Sequence, residues 1–364
     1  MGEAGLAGKP FATGFANVAP GLARLVLGVL ALVIAALMAV AISVPEVPED
    51  PNARGDLGTY KQIVTRLQAG ETYHQALHTE LVDGGYGTRS VFNWRPPFFL
   101  EMIALMQTEQ VSQAVLVTLS VLAVSLAGWV VLNSAGSGMA IAVAVTLGMS
   151  QIAAIAPVAS ICCELWAGAL ILLSVVAYGR GRYWLGFAAA LLALWMRELS
   201  GLYVLVAIYF AWRAGRRDEL GAWAIGLAVF GAYFAWHAMT AMSLVLPTDP
   251  AYKDGWLQFG GAAFVLGTAQ FNGLFLLLSL PVTAIVLPLA VLGFVAWQHR
   301  AAQYGLAAVL AYIMLFAFFG RTANGYWGGL YAPLLMLGLP FGVVAVKDLV
   351  NAAILQQAAP PASA

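Results

Sequence analysis

The sequence predicts an all-α polytopic membrane protein, and three observations predict it. Only 9% of the 364 residues are charged, 62% are hydrophobic, and the mean hydropathy is +0.85; a soluble domain carries roughly 25% charged residues. The apolar residues run on for about 20 at a time rather than alternating, which is the pattern of a helix crossing a bilayer and not of a barrel strand. The basic residues fall in short turns that alternate along the chain, as they do when successive helices cross in opposite directions.

The spans expected are ten: residues 21–44, 110–132, 137–157, 162–179, 182–197, 199–213, 220–242, 272–297, 302–320 and 327–346. The first has no small-residue cleavage site after a short apolar core, so it reads as a retained helix rather than a leader. With Lys9 and Arg24 inside, Arg180 and Arg182, Arg213, Arg216 and Arg217, His299 and Arg300, and Lys347 all fall on the cytoplasmic side. Both termini are then cytoplasmic, and a bacterial inner membrane is the expected location. Residues 1–346 form one transmembrane domain and 347–364 a cytoplasmic, unstructured tail.

Two outer stretches interrupt the spans. In the first, 45–109, Leu57, Tyr60, Ile63, Val64 and Leu67 recur at three- and four-residue steps. They define an amphipathic helix that Asp56 can cap and that ends near Gly70. A second apolar piece, Pro97–Met106, opens on a helix-starting Pro-Pro and is too short to span. Both are expected to lie in the outer interface. The other stretch, 243–271, contains Trp256 and ends in Phe259–Phe271, which re-enters or lies flat.

Composition also excludes functions. Lys plus Arg and Asp plus Glu both number 17, so no basic face for nucleic acid exists. Cys162 and Cys163 are adjacent, point about 100° apart on a helix and read as small apolar fillers. The sequence has neither a disulfide framework nor a zinc pattern. What stands out is the sidedness of the remaining charges: Asp56, Lys61, Arg66, Arg89, Arg95, Glu164, Arg197, Glu198 and Arg321 all fall on the outer side, against the usual basic bias. Charges at span ends are costly and mark function.

Asp56 in Gly55-Asp56-Leu-Gly-Thr-Tyr60, Arg95 in Asn93-Trp-Arg95-Pro96-Pro97, Glu164 in Cys-Cys-Glu164-Leu-Trp, and Gly320-Arg321-Thr-Ala-Asn324-Gly-Tyr326-Trp stand in an order that resembles the GT-C class of integral-membrane glycosyltransferases. That class includes protein mannosyltransferases, polyprenol-phosphate-mannose-dependent mannosyltransferases and the lipid A aminoarabinose transferase. The resemblance implies a GT-C-like fold with two interfacial helices in the first outer loop. It also implies a polyprenyl-phosphate sugar as donor, a lipid or glycan acceptor, and a reaction that inverts the anomeric centre. Arg197-Glu198 departs from the Thr-Lys-Gly-Pro of many members, and the large C-terminal soluble domain of many members has no counterpart.

Asp56 is the expected general base, Glu164 a second catalytic acid, and Arg95, Arg197 and Arg321 the cations for the leaving phosphate. Tyr60, Glu198, Asn324 and Tyr326 are expected to bind substrate. Each has a plainer reading beside it. Asp56 can simply cap a helix, Arg95 anchor an interfacial helix by snorkelling, Arg197 pair with Glu198 or Glu164, and Arg321 cap a helix end. Glu164 can position the acceptor, hold a divalent cation (magnesium or manganese) or neutralise Arg197. His237 reads as a packed histidine, and Trp94, Trp256, Tyr326 and Trp327 as an interfacial belt. The competing functions are a lipid or glycolipid flippase, which would need polar groups at mid-membrane, and a non-catalytic assembly subunit of the same fold.

Overall fold

A computed structural model describes residues 11–45, 54–251, 258–320 and 322–355, and every regular element among them is a helix. Helix α1 (Pro20–Ser43) is followed by three outer helices, α2 (Gly55–Gln68), α3 (Tyr73–Asp83) and α4 (Pro97–Leu105). The bundle continues with α5 (Glu109–Ala135), α6 (Ser137–Gln151), α7 (Cys163–Gly179), α8 (Tyr183–Met196), α9 (Gly201–Arg213) and α10 (Arg217–Ser243). It closes with the short α11 (Gly261–Gln270), then α12 (Leu280–Ala296), α13 (Arg300–Phe318) and α14 (Ala332–Leu355).

Each of the ten expected spans has its helix. Among the described residues six are long and apolar enough to cross a membrane, α6 when taken on to Ile155, while α7, α8, α9 and α12 are only 17, 14, 13 and 17 residues long. The shortness of α7 follows from its place. It is buried along almost its whole length among α5, α8, α13 and residues 322–330, so protein rather than lipid surrounds it.

Glycine sets how closely the helices approach. A Cβ on Gly293 of α12 would run into the Gly338 carbonyl of α14, and one on Gly342 into the Leu289 carbonyl. Between membrane helices, where burying apolar surface gains little over lipid, such backbone-to-backbone packing holds the pair together. The same holds at Gly168 of α7 against the Gly329 carbonyl.

The two ends of the bundle differ. At one end the basic turns meet: Arg180 lies 3.8 Å from the Trp129 ring centroid, Arg216 Nη2 donates to Tyr304 Oη at 2.9 Å, and Arg300 Nη1 donates to Tyr183 Oη at 3.1 Å. The outer helices cap the other end. Glu80 of α3, buried, takes Arg54 at 2.7 Å and Arg66 at 2.6 Å, and Lys61 meets Glu109 at 2.5 Å.

Three expectations need correction and one open alternative narrows. The first outer loop holds three helices, not two: α3 buries Tyr73, Ala76, Leu77 and Leu81 as one stripe. Asp56 does not cap α2; Arg54 occupies the cap position and Asp56 lies in the first turn, where the helix dipole favours a carboxylate. Helix α14 continues to Leu355, so residues 347–355 are helix rather than tail. Of the two courses open to residues 259–271, lying flat is excluded for α11. It buries Phe264, Val265, Leu266 and Thr268 against residues 322–331, with Thr268 Oγ1 3.0 Å from Tyr331 Oη.

The seam makes a paired test. Gly293→Ala forces α12 and α14 apart and is expected to lower stability by about 1–3 kcal/mol. Gly148→Ala in α6, where nothing lies within 4 Å of the added methyl, is expected to raise it by about 0.5–1 kcal/mol through helix propensity. Thermal unfolding of the two detergent-solubilised variants reads both.

Candidate active site

Helix α2 presents Asp56 and Tyr60 one turn apart on the same face. Tyr86, from the turn after α3, donates its hydroxyl to Asp56 Oδ1 at 2.8 Å. Tyr60 Oη accepts from Arg95 Nε at 2.8 Å. Burial pushes the Tyr60 phenol well above its ordinary pKa, against the pull of Arg95, so it works as a neutral hydrogen-bonding group.

Arg95 is the hub. Its Nη2 donates to Tyr326 Oη at 3.1 Å, its Nη1 meets Glu198 Oε1 at 3.3 Å, and Glu164 Oε1 stands 3.8 Å away. Arg197 lies behind it. Its side chain is 1% exposed, its Nε is 2.7 Å from Glu164 Oε1, and its Nη1 donates to Glu198 Oε1. Two arginines and two glutamates thus neutralise one another in a dry place, where an unpaired charge would cost several kcal/mol. The other oxygen of Glu164 accepts from the thiols of Cys163 at 3.2 Å and Cys162 at 3.5 Å. The cysteines are therefore donors to the glutamate as well as fillers.

The backbone of Arg95 is fixed independently of its side chain. Tyr73 Oη donates to the Arg95 carbonyl at 2.8 Å, and His237 Nε2 is 3.1 Å from the Trp94 carbonyl. Trp94 Nε1 donates to the Thr88 carbonyl at 2.8 Å, and His78 stacks on the Trp94 ring while meeting Asp249 at 2.8 Å. Pro96 and Pro97 then start α4, and the first free amide, Phe98 N, donates to Tyr233 Oη at 2.8 Å. Trp94 is thus a buried support rather than part of an interfacial belt, and His237 is a packed histidine with a task.

Asp56, Tyr60, Tyr86, Asn93, Arg95, Asn324 and Tyr326 line one cavity of about 310 Å³. A narrow apolar crevice adjoins it, walled by Pro96, Phe99, Leu100, Ile161 and Met196, and Tyr60 and Arg95 line both spaces. Of the expected site residues, the structure brings Asp56, Tyr60, Arg95, Asn324 and Tyr326 to the cavity. Glu198 faces the crevice, and Glu164 and Arg197 lie behind the wall. Arg321 falls outside the described residues. Among those described, no group of three or more His, Cys, Asp or Glu side chains could hold a metal ion; Asp56, Glu164 and Glu198 do not converge on one point. Tyr86, Tyr73, Asn93 and His74 were not singled out in the sequence. The signal available was Tyr73, Leu77 and Leu81 at helical spacing.

No family model matches the chain, and no curated protein does. Among solved structures it is similar to the crystal structure of ArnT from Cupriavidus metallidurans bound to undecaprenyl phosphate, with a TM-score of 0.50 and 16% identity. The likeness covers 90% of this chain and 60% of that one. The chain has the GT-C fold.

The support beneath Arg95 is sensitive to acid. His74 Nε2 lies 3.0 Å from His237 Nδ1, and burial, reinforced by His237, lowers His74 from 6.5 to about 4. The unfolded chain takes up this proton near pH 6.5 and the folded one resists until about 4. Stability is therefore expected to fall as pH drops through that window and to level off below it. Thermal unfolding against pH should show this slope, and His74→Gln should flatten it.

Proposed function

We propose that this protein is a membrane glycosyltransferase that moves a sugar from a polyprenyl-phosphate donor to a hydroxyl of a lipid or glycan acceptor. One observation carries the reading. Arg95, a cation, stands where a polar cavity holding a carboxylate meets an apolar crevice. A sugar joined by phosphate to a polyprenol has the same three parts in the same order. The ArnT structure, with undecaprenyl phosphate bound, supports the choice of lipid.

In this reading Asp56 takes the proton of the acceptor hydroxyl as its oxygen attacks the anomeric carbon. The bond from that carbon to the phosphate oxygen breaks, and its electron pair leaves with the polyprenyl phosphate. A single displacement inverts the anomeric centre. The donor phosphodiester carries one negative charge and the departing monoester gains another. Arg95 answers it through guanidinium donors that can turn from Glu198 and Tyr326 to the phosphate oxygens. Tyr86 holds the Asp56 carboxylate in place. Glu164 acts through the arginines rather than on substrate, since its side chain is 2% exposed, and Arg197 locks Glu164. The site is assigned to the periplasmic face of a bacterial inner membrane, with the basic turns cytoplasmic. A flippase would need polar groups midway along the spans, whereas the charged cluster here sits at one end of the bundle.

Asp56→Asn keeps the shape and the bond from Tyr86 but removes the base. It is expected to slow transfer at least about 100-fold while lipid-phosphate binding persists. An undiminished rate in this variant would rule out the enzymatic reading. Mass spectrometry of lipids carried through purification should find a polyprenyl phosphate or its glycoside, and Arg95→Ala should lose it.

A further inference from the structure

Asn324 is 8% exposed, lies on the cavity wall, and its Nδ2 has no hydrogen-bond partner. Buried amide donors in native proteins are nearly always paired, because an unpaired one costs about 1–3 kcal/mol. Its backbone departs from helical geometry at this one residue of the run from Thr322 to Leu330 (φ −97°, ψ 22°), so the chain bends at a residue of the cavity wall. The partner it lacks within the protein is one that a ligand can bring.

The rest of the wall narrows what that ligand group is. Among the described residues the cavity has one carboxylate, Asp56, and one guanidinium, Arg95, and both have work in the reaction. The other polar groups are uncharged: Thr59, Tyr60, Tyr86, Asn93 and Tyr326. Among the described residues no acid beyond Asp56 awaits an ammonium, and no cation beyond Arg95 awaits a sugar carboxylate. A volume of about 310 Å³ is at the small end of ligand pockets, which run from about 300 to 1,000 Å³. That suits one sugar ring, not an oligosaccharide.

We infer that the transferred group is a neutral, hydroxyl-rich monosaccharide, and that Asn324 is a specificity-determining residue that bonds one of its hydroxyls. A hydroxyl satisfies the amide whichever end faces the cavity, because it both donates and accepts. The inference rests on the glycosyltransferase reading and goes beyond it in naming the sugar's charge class and the side chain that reads it.

Binding to the intact protein in nanodiscs tests it with four probes: polyprenyl phosphate alone, and the same lipid phosphate carrying a neutral hexose, an amino sugar or a uronic acid. The wild type is expected to bind the hexose conjugate about tenfold more tightly than the bare lipid phosphate and to prefer it over both charged conjugates. Asn324→Leu should abolish the tenfold increment and leave the bare lipid phosphate unaffected. Asn324→Ser, too short to reach, gives the same readout should the leucine variant fail to fold. An increment that survives the substitution, or tightest binding of a charged conjugate, overturns the inference and leaves the glycosyltransferase reading standing. A wild type that does not bind bare polyprenyl phosphate overturns both.

Discussion

Everything at the outer end of this molecule depends on keeping a guanidinium charged in a place with little water. Arg95 is 13% exposed and Arg197 1%, and neither can lose its proton. Glu164 and Glu198 supply the opposing charge, and the cluster sums to zero. Neutrality is what makes it useful. Glu198 and the two tyrosine hydroxyls hold Arg95 through contacts of ordinary length, at 2.8 to 3.3 Å. In the proposed reaction an arriving phosphate exchanges for them without stripping water from a bare ion. Arg197 has no such freedom, and its fixed pairing keeps Glu164 from drawing Arg95 fully inward.

Geometry around this cluster comes from separate sources. The bundle contributes Glu164 from the start of α7, Arg197 and Glu198 from the end of α8, and Tyr326 from the turn before α14. Glycine contacts at Gly168 and Gly293 bring those helices within backbone distance, so the positions are set by main chain rather than by deformable side chains. The outer helices contribute Asp56, Tyr60 and Arg95, and are held to one another by Glu80 and its two arginines. The main chain at Arg95 is tied by Tyr73 and His237 while its side chain is tied by Tyr60, Glu198 and Tyr326, which a phosphate replaces in the proposed reaction. Little ordering is therefore left to do on binding, which is the general route to affinity through preorganisation.

Much of this was legible in the sequence, and the reasons it stopped being legible are physical. Apolar runs of bilayer length announce themselves, so the ten helices could be read and most of their bounds lie close, while the expected 272–297 is Leu280–Ala296 and the expected 327–346 is Ala332–Leu355. The α2 stripe and the Pro-Pro start of α4 were equally plain. Helix α3 was not, because Tyr73-His-Gln-Ala-Leu-His-Thr-Glu80 is mostly polar and its apolar face is only four residues wide. Of the charged residues, position along the chain told which end they occupy but not which of them meet. Arg197 and Arg95 look alike in sequence; burial alone separates the one that locks a glutamate from the one that reaches the cavity. Tyr86 and Asn93 gave no periodic signal, since turns carry none.

Helix α1 packs at the α12–α14 seam, so elements far apart along the sequence lie side by side. Only 6% of its membrane window is buried in the finished bundle, and lipid tails solvate such a surface as well as leucine does. Such a helix can therefore rest in lipid before α12 and α14 pack against it. A chain that stops short of α14 leaves α1 with half its seat missing and residues 322–330 without the helix that follows them. Tyr326 sits just before α14, so the packing of that helix and the placing of Tyr326 beside Arg95 are linked.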